Sequence, residues 1–140
     1  MMDKRFWLWA TMAMLAGCQR PDDPSFYDTQ WYLAPETVQG PLRTAASGTK
    51  GVTLRLTSDG KLSGSSGCNR YFGSYQLVNG TAFQVGAIGS TKMACLGELM
   101  QGEGLFLDRL SKANWLEQEG DTLKLYSDGF ETPLRFRQQR

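Results

Sequence analysis

The sequence has no histidine, no excess of either charge, and no apolar run long enough to span a bilayer. Without histidine there is no Ser-His-Asp or Cys-His catalysis, no His-ligated zinc and no imidazole pH switch. Fifteen Lys and Arg against 14 Asp and Glu leave a net charge of +1, which gives no electrostatic basis for nucleic-acid binding. Cysteine is scarce, at three in 140 residues. What is present is a length suited to one domain, with 41% hydrophobic and 11% aromatic residues, enough for a substantial core. No period of roughly 20–50 residues recurs, so a repeat array is excluded.

The N-terminus reads as an address. Lys4 and Arg5 precede the apolar run Phe6–Ala16, about eleven residues against the ~20 a membrane-spanning helix needs. A basic start, a short apolar stretch and small residues at its end are the parts of a secretory signal peptide, here residues 1–17. The run closes on Leu15-Ala16-Gly17-Cys18, which resembles the lipobox of bacterial lipoproteins. That resemblance implies cleavage before Cys18 and acylation of its sulfur and new amino group. Three acyl chains, at about 0.8 kcal/mol per buried CH₂, exceed what stable anchoring requires. Gln19 follows the cysteine where an aspartate would resemble an inner-membrane retention signal, so the expected location is the outer membrane, facing the periplasm. Without Asp3, Lys4 and Arg5 the chain carries 13 basic and 13 acidic residues. Residues 18–29, with two prolines and three aspartates, read as the lipidated cysteine and a tether, and residues 30–140 as the domain.

From Gln30 the chain alternates in short runs. Trp31–Leu33, Val52–Leu56, Arg70–Leu77, Phe83–Ala87, Trp115–Glu119, Thr122–Tyr126 and Thr132–Gln138 read as strands. Asp59-Gly60, Asn79-Gly80, Gly120-Asp121 and Asp128-Gly129 supply turns. Between strands, Leu99, Met100, Glu103, Phe106, Leu107 and Leu110 recur at helical spacing, with Gly102 and Gly104 predicting irregular first turns. Val38–Lys50 shows no clean pattern and reads as a surface loop. The expected fold class is α+β: a small antiparallel β-barrel or strongly curved sheet of about seven strands, with one helix packed on it. Trp31, Phe83, Phe106, Trp115 and Phe136 are the candidate large core residues.

The candidate chemistry is sparse. Cys68 and Cys95 read first as a structural disulfide in an oxidising compartment, with free buried thiols and redox or metal chemistry as alternatives. Ser63, Ser65 and Ser66 lack a histidine base, and nothing in the sequence brings Lys61 or Lys92 to them. Glu117, Glu119 and Asp121 fall at a hairpin and read as a solvated turn. In Gly67-Cys68-Asn69-Arg70-Tyr71-Phe72-Gly73 the glycines permit a bend, Asn69 can bond nearby backbone, and Tyr71, Tyr75 and Leu77 would face a core. The functional alternative makes Asn69, Arg70 and Lys92 a polar binding patch beside the cysteine pair. Lys124 is expected to face Arg135, with Arg137 on the same outer face, a concentration of like charge that an anionic surface would relieve.

Trp31…Leu33, SGSSGCNRYFGSY at 63–75, STKMAC at 90–95, the Phe106-Leu107 helix and LKLY at 123–126 together resemble the META domain, the HslJ-like family of bacterial heat-shock lipoproteins. The resemblance covers roughly residues 29–138. It implies a compact domain rich in antiparallel β-structure, lipid-tethered, linked to envelope stress or antibiotic tolerance, with no enzymatic activity and no cofactor. A glutamate usually introduces the family's helix, and both Glu98 and Glu103 are candidates. The expected protein is a monomeric, non-catalytic interaction module, bound to the membrane through Cys18, with an unidentified envelope protein as partner. Two competing expectations are a carrier of a small apolar ligand inside the barrel, and an inhibitor of a periplasmic hydrolase acting through Val38–Lys50.

Overall fold

In the computed structural model, which describes residues 26–138, eight strands close into one antiparallel barrel in sequence order. The strands are β1 (Trp31–Leu33), β2 (Thr53–Leu56), β3 (Lys61–Ser65), β4 (Arg70–Val78), β5 (Ala82–Ser90), β6 (Ala113–Glu119), β7 (Thr122–Ser127) and β8 (Leu134–Gln138). β1 pairs with both β2 and β8, so no strand edge is left open along the first and last strands. Two helices, α1 (Gly40–Ser47) and α2 (Glu98–Ser111), lie on each other.

Alternation explains the core. Leu54, Leu56, Leu62, Tyr71, Tyr75, Leu116, Leu123, Leu125, Leu134 and Phe136 all point inward and are buried. From α2, Phe106 enters the barrel between Tyr71 and Phe136, with ring centroids 5.5 and 6.3 Å away. Tyr71, in turn, donates its hydroxyl to the Thr53 carbonyl at 2.5 Å, and burial pushes its pKa far above the ordinary tyrosine value.

Four expectations need correction. Among the described residues the count is eight strands and two helices, because Lys61–Ser65 forms β3 and part of the expected Val38–Lys50 loop forms α1. Leu42, Ala45 and Ala46 of α1 are buried, which accounts for the order of that segment. Trp115 does not enter the core: a register shift between Ala113 and Trp115 turns its ring outward, 43% exposed, and Leu116 takes the inward place. The alternation Phe83, Val85, Ala87 predicts one shared face, yet Ala87 is exposed, because a second shift between β4 and β5 moves the inward phase from Phe83 to Ile88. Finally, the domain starts earlier than residue 30. Phe26 is buried and accepts a hydrogen bond from Trp31 Nε1 at 3.1 Å, while Tyr27 bridges to Leu56. The expected signal peptide and Cys18 lie outside the described residues, as does the tether up to residue 25.

Gly102 is why the two helices can touch. A Cβ there would stand 2.2 Å from the Pro41 carbonyl oxygen and 2.7 Å from the Ala45 Cβ, both on α1. The helix runs regularly from Glu98 despite its glycines. Gly102→Ala would raise intrinsic helix propensity by about 1 kcal/mol, yet it is expected to destabilise by roughly 1–3 kcal/mol through overpacking. Urea unfolding checks the sign; a more stable variant would mean that α1 shifts freely.

Candidate functional site

The only carboxylate buried among the described residues is Glu103, 5% exposed, on the barrel-facing side of α2. It sits in the apolar stripe of that helix, between the positions of Leu99, Phe106 and Leu110. Its oxygens accept hydrogen bonds from the Asn69 backbone N–H at 2.7 Å, Asn69 Nδ2 at 2.8 Å and the Ser66 hydroxyl. The Cys68 backbone N–H also faces it. Burial alone would raise its pKa, but this fan of donors outweighs it and holds the carboxyl below its ordinary value of 4.5. None of the three ion pairs among the described residues includes Glu103. Its negative charge is held by neutral donors, and what those donors fix is the β3–β4 loop, residues 66–69.

Asn69 clamps that loop from the other side. Its Oδ1 accepts from the Met93 N–H at 2.7 Å and the Thr91 hydroxyl at 2.9 Å. Its Nδ2 also donates to the Met93 carbonyl at 3.2 Å. One residue earlier, Cys68 is joined to Cys95 as a disulfide, with the Cα atoms 6.1 Å apart. Gly67 sits between, at φ 113° with its Cα side against Ala45 of α1, where a Cβ would come within 3.0 Å. Helix α1, helix α2, the loop and the 91–95 segment thus meet around one bracket built on Glu103 and Asn69.

The META domain family model matches residues 24–140, which include the whole bracket. The chain belongs to the META domain family. Its fold is similar to the NMR structure of a protein from Burkholderia xenovorans, at 29% identity and TM-score 0.59 over 81% of this chain and 83% of that one. It is also similar to the crystal structure of a DUF4847-family protein from Bacteroides vulgatus, at 15% identity and TM-score 0.56 over 81% and 94%. No curated protein matches the chain.

Within this META domain the three residues expected as a binding patch part company. Asn69 is 3% exposed with both amide atoms bonded inside the domain, so it offers nothing to a ligand. Arg70 and Lys92 are exposed on either side of Thr91, which bonds the Arg70 backbone. Lys124 does face Arg135 in the β7–β8 register. The chain supplies its own anions there: Lys124 Nζ lies 2.5 Å from Glu119, and Arg137 pairs with Glu36. The hydrogen bond from Lys124 holds the Glu119 carboxyl below its ordinary value. The structural part of Glu103 was missed in the sequence, although a charged residue inside an apolar stripe was the available signal.

Proposed function

We propose that this META domain is a non-catalytic binding module, anchored through a lipidated Cys18 to the bacterial outer membrane and facing the periplasm, with a part in envelope stress or antibiotic tolerance. The observation that carries the reading is the filled interior. Trp31, Phe83, Phe106 and Phe136 occupy the barrel and are each at most 1% exposed, which leaves the outer surface as the place for recognition. This weighs against the carrier of an apolar ligand. The docking of α1 onto α2 weighs against an inhibitor with Val38–Lys50 as a free loop. The Cys68–Cys95 disulfide fits an oxidising compartment and so supports export independently of the N-terminal motif.

In this reading the residues between Cys18 and Phe26 reach at most roughly 30 Å even fully extended, so the barrel works close to the membrane surface. The test is mass spectrometry and fractionation of the full chain produced in a Gram-negative host. The expected product begins at Cys18, carries acyl mass and sediments with membranes, and Cys18→Ser abolishes both. An unacylated chain in the soluble periplasmic fraction would overturn the anchoring.

A further inference from the structure

The outer face of β2, β3 and β4 forms a groove of about 740 Å³. Register explains its floor. Leu54, Leu56 and Leu62 point inward, so Arg55, Ser63 and Ser65 point out. Arg55 lies opposite Ser63, and Ser65 opposite Arg70. Two small hydroxyl residues therefore lie between two arginines. Gln30, preceding β1, and Lys50, following α1, also line it, the latter pinned by its bond to the Cys68 carbonyl at 3.1 Å.

Among the described residues, three cations line the groove and no carboxylate does. The ion pairs among the described residues use Lys112, Lys124 and Arg137, each with a carboxylate of this chain, and none involves Lys50, Arg55 or Arg70. Like charges gathered on one sheet face repel unless an anion lies among them. Two strand spacings and a two-residue offset place the Arg55 and Arg70 backbones roughly 12 Å apart. At that spacing two flexible guanidinium groups can close on one oxyanion, each offering a planar fork of donors. The volume is far larger than a bare ion needs and falls in the range of small-molecule sites. The Ser63 hydroxyl suits a hydroxylated body, whereas that of Ser65 donates to the Gly51 carbonyl at 2.9 Å and helps to shape the floor.

We propose that this groove binds a sugar-sized ligand bearing an oxyanion, phosphate or carboxylate, with Arg55 and Arg70 on the anion and the Ser63 hydroxyl beneath the body. The proposal does not rest on the lipid anchor, so it survives if the anchoring reading fails.

The experiment is calorimetric titration of the full chain in non-ionic detergent, at about 20 mM salt so that screening is weak. The probes are glucose 1-phosphate, digalacturonate, inorganic phosphate and maltose. Saturable binding of glucose 1-phosphate assigns a phosphate site, and binding of digalacturonate a carboxylate site. Arg55→Ala and Arg70→Ala are each expected to weaken that binding by about 10-fold or more, the scale of one charged hydrogen-bonding partner. Both side chains are exposed, so an unchanged melting temperature verifies the fold. Arg135→Ala, outside the groove, is expected to change affinity by less than about two-fold. Four results would overturn the site: no saturable binding of either charged sugar, equal binding of maltose, equal binding of bare phosphate, or equal weakening by Arg135→Ala.

Discussion

Replacing Glu103 by alanine is expected to lower stability by on the order of 3–5 kcal/mol, a large share of what a domain of this size holds. The loss comes from the donors left behind rather than from the carboxylate itself. The Asn69 backbone N–H, Asn69 Nδ2 and the Ser66 hydroxyl all point at Glu103, and Ser66 and Asn69 are buried. Alanine leaves the Asn69 backbone N–H and one Nδ2 hydrogen without an acceptor, while the Ser66 hydroxyl keeps only the Asn69 carbonyl at 3.0 Å. Glu103→Gln separates shape from charge: the side chain fits, but one oxygen becomes an NH₂ group facing donors, and the expected loss is about 2 kcal/mol. The acid limb of the stability curve gives a second readout. Because the folded carboxyl is held below its ordinary value of 4.5, its contribution is complete above that value and is lost as pH falls through the lower folded one. Glu36 and Glu119 are shifted the same way, so Glu103→Gln should flatten that limb without abolishing it. Urea unfolding between pH 7 and 3 measures both effects. An alanine variant within 1 kcal/mol of the parent, with an unaltered acid limb, would mean that water replaces the carboxylate at no loss.

The parts of this fold legible in the sequence are those where one residue out of two is apolar without interruption. Leu54 and Leu56 in β2, or Leu123 and Leu125 in β7, show the period directly, and their hairpin turns sit where Gly60, Asn79 and Gly120 take positive φ. The strand β3 was not legible because it contributes one large inward residue, Leu62, among serine, glycine and lysine. Its order comes from pairing on both sides, a long-range effect with no local signature. Helix α1 hides for a related reason. Its eight residues GPLRTAAS bury one leucine and two alanines, and only Pro41 in the first turn marks its start. Trp115 and Ala87 were misplaced because a bulge reverses the inward phase, and periodicity cannot register a single inserted residue.

The candidate sites divide along the same line. Cys68, Asn69 and Cys95 could be singled out from residue type alone, since a cysteine pair and an asparagine at a glycine-rich bend have few other uses. What Asn69 bonds to could not, because Met93, Thr91 and Glu103 are 22 to 34 residues away in sequence. The groove was less legible still. Arg55 reads in isolation as a solvated outward residue of an alternating strand. It joins Arg70 only through the β2–β3 and β3–β4 registers, and through a strand that the sequence did not announce.

Reduction of Cys68–Cys95, or the pair Cys68→Ala and Cys95→Ala, is expected to lower stability by about 3.5 kcal/mol. The sequence separation of 27 residues fixes that size through the loop entropy regained by the unfolded chain. For a domain of this length the melting temperature should fall by roughly 10–15 °C. The folded loop should stay in place, because Asn69 still holds Met93 and Thr91 on one side and Glu103 on the other. That expectation has a consequence for the double change. If the disulfide acts on the unfolded chain and Glu103 on the folded loop, their losses add to within about 0.5 kcal/mol, even though both converge on residues 66–69. A combined loss smaller than the sum by more than about 1 kcal/mol would mean that the disulfide positions the loop for Glu103. The bracket would then depend on the redox state of its compartment, and reductant alone would loosen the contact of the loop with both helices.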